Sequence, residues 1–206
     1  MLKIWGRSNS NNVKKVLWCA AEAGIAYERI DVGGAYGGLD RPEFAALNPN
    51  QTIPVVEDSD LVLWESNAIV RYIASRYAPG MLYADDPSRR ALADLWMDWA
   101  SLTFLPPFIT IFQGLVRTPP AQRDMEAIDA AVARAARLLT IADDQLARQP
   151  YLSGASLGMG DIPLGVLIHA WFTLPIERPD LPNLARWYDQ LLTRPAYQKL
   201  VAQPLS

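Results

Sequence analysis

The sequence predicts a domain of mixed strands and helices that is followed by an all-helical domain. Three observations support this prediction. Strand and helix patterns alternate from the N-terminus to about residue 80, the segment GMLYADDPS then has the composition of a linker, and strand patterns are absent beyond it. We therefore place the first domain at residues 1–80 and the second at residues 87–206.

The element order predicted for the first half is β-α-β-α-β-β-α. The apolar run LKIWG precedes a helix that stops at Gly24 and has one apolar face, formed by Val13, Val16, Leu17 and Ala20. AYERIDV predicts a second strand, PEFAALNP a short helix, and IPVVED with LVLWE a β-hairpin around DSD. The helix SNAIVRYIASRYAPG ends this half, and its predicted apolar face consists of Ile69, Val70, Ile73 and Tyr77.

The second half contains only helical patterns. RRALADLWMDWASLTFLPPFITIFQGLV is helical, and Pro106-Pro107 is expected to kink or break it because proline lacks a backbone N–H. AQRDMEAIDAAVARAARLLTIADDQLARQ predicts a long amphipathic helix, and GDIPLGVLIHAWF predicts a helix that is buried on all sides. NLARWYDQLLTRP and AYQKLVAQP complete the chain.

Composition narrows the classes of function. The chain has 206 residues, 50% hydrophobic and 20% charged, with a net charge of −3, so we expect a globular protein that does not bind nucleic acid. The basic pairs Lys14-Lys15 and Arg89-Arg90 are interpreted as solvated helix faces. No apolar run approaches the ~20 residues that span a bilayer, so no membrane is expected. A single cysteine and an N-terminus unlike a signal peptide favour the cytoplasm.

A row of five polar residues, Ser8 to Asn12, lies between the first strand and the first helix. Free N–H groups and the helix dipole favour negative charge at such a position. One serine or asparagine would be explained by helix capping, but five exceed what a cap requires. Cys19 lies two turns into the helix and is expected to be a buried structural thiol. The row therefore suits a thiolate that arrives on a bound ligand, with capping as the alternative.

Three further motifs point to a known family through their order and spacing along the chain. They are QTIPVVED, ESNAIVRYI and a Gly-Asp-Ile segment in the second half. With the serine-containing loop before the first helix, they make the chain resemble the cytosolic glutathione transferases over essentially its whole length. The resemblance implies a thioredoxin-like N-terminal domain and an all-α C-terminal domain. It also implies glutathione as co-substrate, a homodimer and a role in detoxification, and no metal-ligand spacing suggests a metal.

The resemblance also implies roles for residues that bind glutathione. Ile53-Pro54 would hold a cis peptide bond, and the backbone of Ile53 would pair with the cysteinyl part of the tripeptide. Glu65 would bind the α-ammonium of the γ-glutamyl end, and Ser66 its α-carboxylate. A simple N-cap at Ser66 and an ordinary trans proline are the alternatives.

For the thiolate partner, alignment with the family favours Ser10, with Asn12 as second choice. Arg41 is the only basic residue in its loop and the candidate for the glycyl carboxylate. The family's second-domain capping box here reads GMGD, and Asp161 is expected to cap back onto the N–H of Gly158.

The resemblance implies attack by the glutathione thiolate on an electrophilic carbon of a small hydrophobic compound. The second domain would supply the pocket, with candidates Phe104, Phe108, Ile111 and Phe112; a place in the core is the alternative for each. The lone histidine, His169, is expected to be a core residue. A glutathione-dependent peroxidase or disulfide reductase, and a non-catalytic binding module, remain open as alternative functions.

Overall fold

A computed structural model describes all residues, Met1–Ser206, and its first half is a four-stranded sheet with helices on both faces. The sheet order is β2-β1-β3-β4. Its elements are β1 Leu2–Trp5, α1 Asn11–Glu22, β2 Tyr27–Ile30, α2 Pro42–Leu47, β3 Val55–Asp58, β4 Leu61–Trp64 and α3 Ser66–Tyr77. The predicted order and the thioredoxin-like architecture are confirmed.

The central strand β1 pairs in parallel with β2 and antiparallel with β3, with Ile4 opposite Val56. Those two side chains are fully buried in the main core, which also contains the apolar faces of α1 and α3. Val55 points the other way, into a smaller cluster with Phe44 of α2. The predicted apolar face of α3 is buried except at Tyr77, which is exposed and donates its hydroxyl hydrogen to Asp58.

The second half consists of helices α4 Pro87–Trp99, α5 Leu105–Phe112, α6 Met125–Leu146, α7 Asp161–Thr173, α8 Pro182–Leu192 and α9 Pro195–Leu200. Pro106-Pro107 does not break the helix, which excludes one of the two predicted outcomes, and the kink stays a prediction. A wide π-helical turn at Ala100–Phe104 joins α4 to α5, and a second one follows at Gln113–Arg117. The wider turn accommodates two residues that cannot donate a backbone hydrogen bond.

These joined segments make Pro87–Arg117 one continuous helical stretch of 31 residues. By length and composition alone it is apolar enough to cross a membrane, a criterion that core helices of soluble proteins also meet. In this fold α5 packs against α6, and α4 packs against α7. The stretch is thus part of the helical core.

Helix α7 is buried along most of its length, as predicted. Its first residue, Asp161, accepts hydrogen bonds from several neighbouring segments. The fully buried carboxylate of Asp161 accepts hydrogen bonds from the backbone N–H of Gly158 (3.1 Å), Leu152 (2.8 Å) and Ser153 (3.2 Å). It also accepts one from the indole of Trp187 in α8 (3.0 Å). Burial raises the pKa of Asp161, and the backbone hydrogen bonds oppose this rise. The predicted cap is confirmed.

Helix α1 joins the two halves, because α3 packs on one side of it and α7 and α9 on the other. The Trp18 ring fills the space beside Gly165, where an added Cβ would lie 2.7 Å from the ring. Tyr197 of α9 meets Trp18 edge to face at 4.9 Å and donates its hydroxyl hydrogen to the Gly165 carbonyl (2.7 Å). Arg194 adds an ion pair to Glu22.

Candidate functional site

The loop that leads into α1 is held against the sheet by its backbone. The N–H groups of Gly6 and Arg7 donate to the carbonyls of Ile30 (2.9 Å) and Val32 (3.2 Å). Gly6 has a φ of +147°, and a Cβ there would lie 2.5 Å from Val13 in α1. Only glycine therefore allows the loop to turn this tightly into the helix.

Ser10 is the N-cap residue of α1, with φ −83° and ψ 127°. Its carbonyl accepts the N–H of Lys14 (2.8 Å), but its side chain makes no capping hydrogen bond. The hydroxyl of Ser10 is therefore free to bind a ligand at the positive end of the helix dipole. No acidic residue lies in the first turn of α1 to neutralise that end.

The Ile53–Pro54 peptide bond is cis, as the resemblance implies. The backbone N–H and C=O of Ile53 take part in no hydrogen bond within the chain. Ile53 is also close to the α1 loop, because a Cβ built on Gly6 would lie 3.3 Å from its Cβ. A peptide-like ligand can therefore pair with Ile53 as an added strand beside the start of the α1 loop.

Glu65 and Ser66 connect β4 to α3. Glu65 occupies the N-cap position with φ +71°, a conformation that costs a non-glycine residue about 1–3 kcal/mol and that often marks functional sites. Its side chain makes no capping bond. Ser66 is the first helical residue rather than the N-cap, so the alternative of a simple cap at Ser66 is wrong.

A cavity of about 460 Å³ is lined by Glu65 and Ser66 and by two side chains of α1, Asn12 and Lys15. The Ser66 hydroxyl donates to Asn12 Oδ1 (3.3 Å) and accepts from Lys15 Nζ (3.5 Å). Lys15 also donates to Asn67 Oδ1 (3.4 Å). The cavity thus offers a carboxylate beside a cation and a hydroxyl, which complements the ammonium and carboxylate of an α-amino acid.

Lys15 is the site residue that sequence reasoning missed. It is only 2% exposed, and Lys14 is also buried, so the interpretation of this pair as a solvated face is wrong. The reason is that α1 is covered on opposite sides by α3 and by α7 with α9, which leaves it no solvated face at these positions. Burial lowers the pKa of Lys15 to about 8, and the charge of Glu65 opposes this shift.

This lowered pKa predicts a pH-dependent stability. Between about pH 8 and 10.5 the unfolded chain holds a proton on Lys15 that the folded chain lacks, so the free energy of unfolding rises with pH. We expect wild type to gain roughly 1–2 kcal/mol over the Lys15→Met variant between pH 7.5 and 9.5, as measured by urea unfolding. Lys199→Met, at an exposed position, is the matched control and should follow wild type. Parallel curves for wild type and Lys15→Met would contradict the assignment.

Other predicted residues lie elsewhere. Arg41 is an exposed N-cap residue of α2 and lines a separate cavity beside Trp5 and Phe44, so the structure does not bring it together with Ser66. Its role at the glycyl carboxylate stays a prediction.

The candidate pocket residues are all buried in the core: Phe104, Phe108, Ile111 and Phe112. The Phe104 and Phe108 rings are tilted at 5.7 Å, and the Phe108 and Phe112 rings stack at 5.8 Å. This packing supports the alternative of a place in the core, and the role of these residues in a pocket stays a prediction.

The remaining reactive side chains are structural. Burial raises the pKa of the fully buried Cys19 thiol, so it is not a nucleophile. Both ring nitrogens of His169 have partners, the hydroxyl of Tyr188 (2.9 Å) and the carbonyl of Gln203 (3.0 Å). No group of three or more His, Cys, Asp or Glu side chains is arranged to hold a metal ion.

Comparison with known proteins gives consistent matches along the chain. Residues 1–75 match the family model "Glutathione S-transferase, N-terminal domain", and residues 125–190 match "Glutathione S-transferase, C-terminal domain". The chain is 45% identical to glutathione S-transferase GstB of Escherichia coli K12, with 100% of both chains covered. It is 30% identical to glutathione S-transferase 4 of Zea mays, over 97% of this chain and 91% of the relative.

A solved structure is also similar. The theta class glutathione S-transferase from Xanthomonas axonopodis pv. citri with glutathione bound has a TM-score of 0.95 and 56% sequence identity, over 100% of this chain and 99% of that chain. The two family models together match more than half of the chain, and relatives match it from end to end. The chain therefore belongs to the cytosolic glutathione transferase family, with glutathione as its co-substrate.

Proposed function

We propose that the thiolate of bound glutathione attacks an electrophilic carbon of a small compound, with the Ser10 hydroxyl hydrogen-bonded to the sulfur. The observation that carries the proposal is the position of Ser10: its hydroxyl has no partner within the chain and lies at the N-terminus of α1. In this proposal, residues 1–80 bind glutathione, and residues 87–206 complete the site for the second substrate.

The energies of these contacts are sufficient for the task. Lowering a thiol pKa by about two units requires roughly 2.7 kcal/mol. A hydrogen bond to a charged group contributes ~1.5–3 kcal/mol. The helix dipole adds ~0.3–1 kcal/mol. No base or covalent enzyme intermediate is needed, because the protein only positions the thiolate and favours the ionised form.

A titration of the ultraviolet thiolate band of bound glutathione, from pH 5 to 9, tests the proposal. A bound thiol pKa well below that of the free tripeptide supports activation by the α1 loop. Saturable binding without a shift would contradict it. Parallel assays with an aryl halide, cumene hydroperoxide and a glutathione disulfide separate transferase from peroxidase and reductase activity.

Ser66→Ala is expected to raise the Michaelis constant for glutathione about 10-fold or more, with little change in kcat. The reason is that the hydroxyl contacts the γ-glutamyl end equally in the ground state and the transition state. Steady-state kinetics with varied glutathione measure the effect. Ser75→Ala, on an exposed turn of the same helix, is the control. An unchanged Michaelis constant in the Ser66 variant would remove Ser66 from the binding site.

We also propose that the protein is a homodimer that acts in detoxification in the cytoplasm. The dimer is supported by exposed apolar side chains on β4 and α4: Trp64 is 39% exposed, Leu92 58% and Leu95 53%. Sedimentation should give twice the mass of one chain. Leu95→Lys is expected to yield monomers, whereas Ile141→Lys, at an exposed apolar position in α6, should leave the dimer intact. A wild-type monomer would contradict this proposal.

A further inference from the structure

A second cavity, of about 510 Å³, lies between the two halves of the protein. The N-terminal half contributes Arg7, Ser8, Asn9 and the turn that begins at Gly34, and the helical half contributes Arg117 and Ser206. Five of the eight lining residues have polar side chains, in contrast to the apolar pocket expected from the sequence. Ser10 directly follows the lining residue Asn9, and its N–H donates to the Arg7 carbonyl (3.2 Å) within one turn of the loop.

Two guanidinium groups face this cavity without a carboxylate side chain as partner. Arg7 donates only to the amide oxygen of Asn9 (2.7 Å), and Arg117 donates to the main-chain oxygen of Ser206 (3.5 Å). The ion pairs of the chain involve other arginines: Arg29, Arg71 and Arg194. Burial lowers the pKa of Arg7, and the charge of Arg117 lowers it further, so each cation destabilises the other.

Each arginine side chain packs against a neighbouring residue. The stem of Arg7 lies against Gly34, where an added Cβ would be 2.9 Å from Arg7 Cδ, so any other residue at Gly34 would displace it. Arg117 sits at the end of the second π-helical turn, with its guanidinium carbon 5.5 Å from the centre of the buried Phe112 ring. Two cations beside a cavity favour the binding of a small anion, and planar guanidinium groups suit a carboxylate.

We propose that the second substrate is a small acidic electrophile, such as a 2-halo acid, whose carboxylate is held between Arg7 and Arg117 while its electrophilic carbon faces the glutathione sulfur near Ser10. This inference rests on the proposed function and names its substrate class. In the reaction a sulfur–carbon bond forms, the carbon–halogen bond breaks, and the halide leaves with the electron pair. Glutathione has anchors of its own at Ser66 and Ile53, which leaves the arginine pair to the other reactant.

The kinetic test compares iodoacetate with iodoacetamide, which differ only in the charged group. After subtraction of the uncatalysed rates, wild type is expected to favour iodoacetate in kcat/KM by about tenfold relative to the ratio in solution. Arg117→Gln and Arg7→Gln should abolish this preference without changing the Michaelis constant for glutathione. Arg134→Gln, at an exposed position in α6, is the charge-matched control. Equal preference in wild type would overturn the inference.

A binding test decides the inference separately from turnover. S-carboxymethylglutathione and S-carbamoylmethylglutathione are the matched conjugates, with unmodified glutathione as reference, and calorimetry measures all three. The acid is expected to bind wild type about tenfold more tightly than the amide, and the difference should disappear in Arg117→Gln. Equal binding overturns the inference. A loss of affinity for all three ligands in Arg117→Gln would assign the pair to the glycyl carboxylate and also overturn it. Absence of turnover with both electrophiles would contradict only the proposed function.

Discussion

Replacement of Ser10 by alanine is expected to lower kcat about 10- to 100-fold near pH 6.5 and to raise the pKa of the bound thiol by roughly one to two units. The variant loses the hydrogen bond that favours the thiolate over the thiol. The defect should shrink above both pKa values, because the sulfur is then ionised in either protein. The pH dependence of kcat and the ultraviolet titration of bound glutathione measure the two quantities.

The same variant separates catalysis from helix capping. Loss of a serine N-cap usually costs ~1 kcal/mol of stability, but the Ser10 hydroxyl makes no capping bond, so we expect a change below about 0.5 kcal/mol. Ser10→Thr retains a hydroxyl and should recover part of the activity. Full activity and an unshifted pH profile in Ser10→Ala would transfer the role to Asn12, whose own alanine variant is then the next test.

Asp161→Ala is expected to destabilise the fold by roughly 4 kcal/mol or more. Three backbone N–H groups and the indole N–H of Trp187 would lose their acceptor in the interior. Each unsatisfied buried donor costs about 1–3 kcal/mol. Because a domain is stable by only ~5–15 kcal/mol, the variant should unfold at much lower urea concentration.

The control for this experiment is Asp144→Ala, an exposed aspartate in α6, which should change the free energy of unfolding by less than about 0.5 kcal/mol. Asp161→Asn is a milder change, since it keeps one oxygen acceptor, and remains measurable if the alanine variant does not fold. A loss below about 1 kcal/mol in both Asp161 variants would show that the four donors do not depend on the carboxylate.

The fold could be predicted from the sequence because its local patterns and its packing agree. The hairpin around DSD and the buried helix α7 formed where apolar periodicity and turn residues indicated. A break at Pro106-Pro107, one of the two outcomes predicted there, is absent. A π-helical turn is a small rearrangement of backbone hydrogen bonds, and no residue type in Ala100–Phe104 signals it.

The candidate site was predictable only in part. Ser10, Glu65 and Ser66 occur in recognisable motifs at element junctions, and the structure leaves the Ser10 hydroxyl without a partner. Lys15 and Arg117 carry no such signal, because their importance depends on which distant segments cover them. A lysine in an amphipathic helix is ordinarily solvated. Here the helical half buries the helix from the other side, which no local pattern reveals.

The contact of Trp18 with Gly165 also limits how the two halves can be exchanged between proteins. A hybrid enzyme could join this N-terminal half to a relative's helices at the linker. Its Trp18 ring would then need a glycine at the facing position of the relative's helix. Any side chain larger than hydrogen at the facing position would push α1 outward and move the loop that carries Ser10. The segment that can be exchanged between relatives without disturbing this contact is therefore α1 together with the helices that pack on it. The N-terminal half as far as the linker is not such a segment.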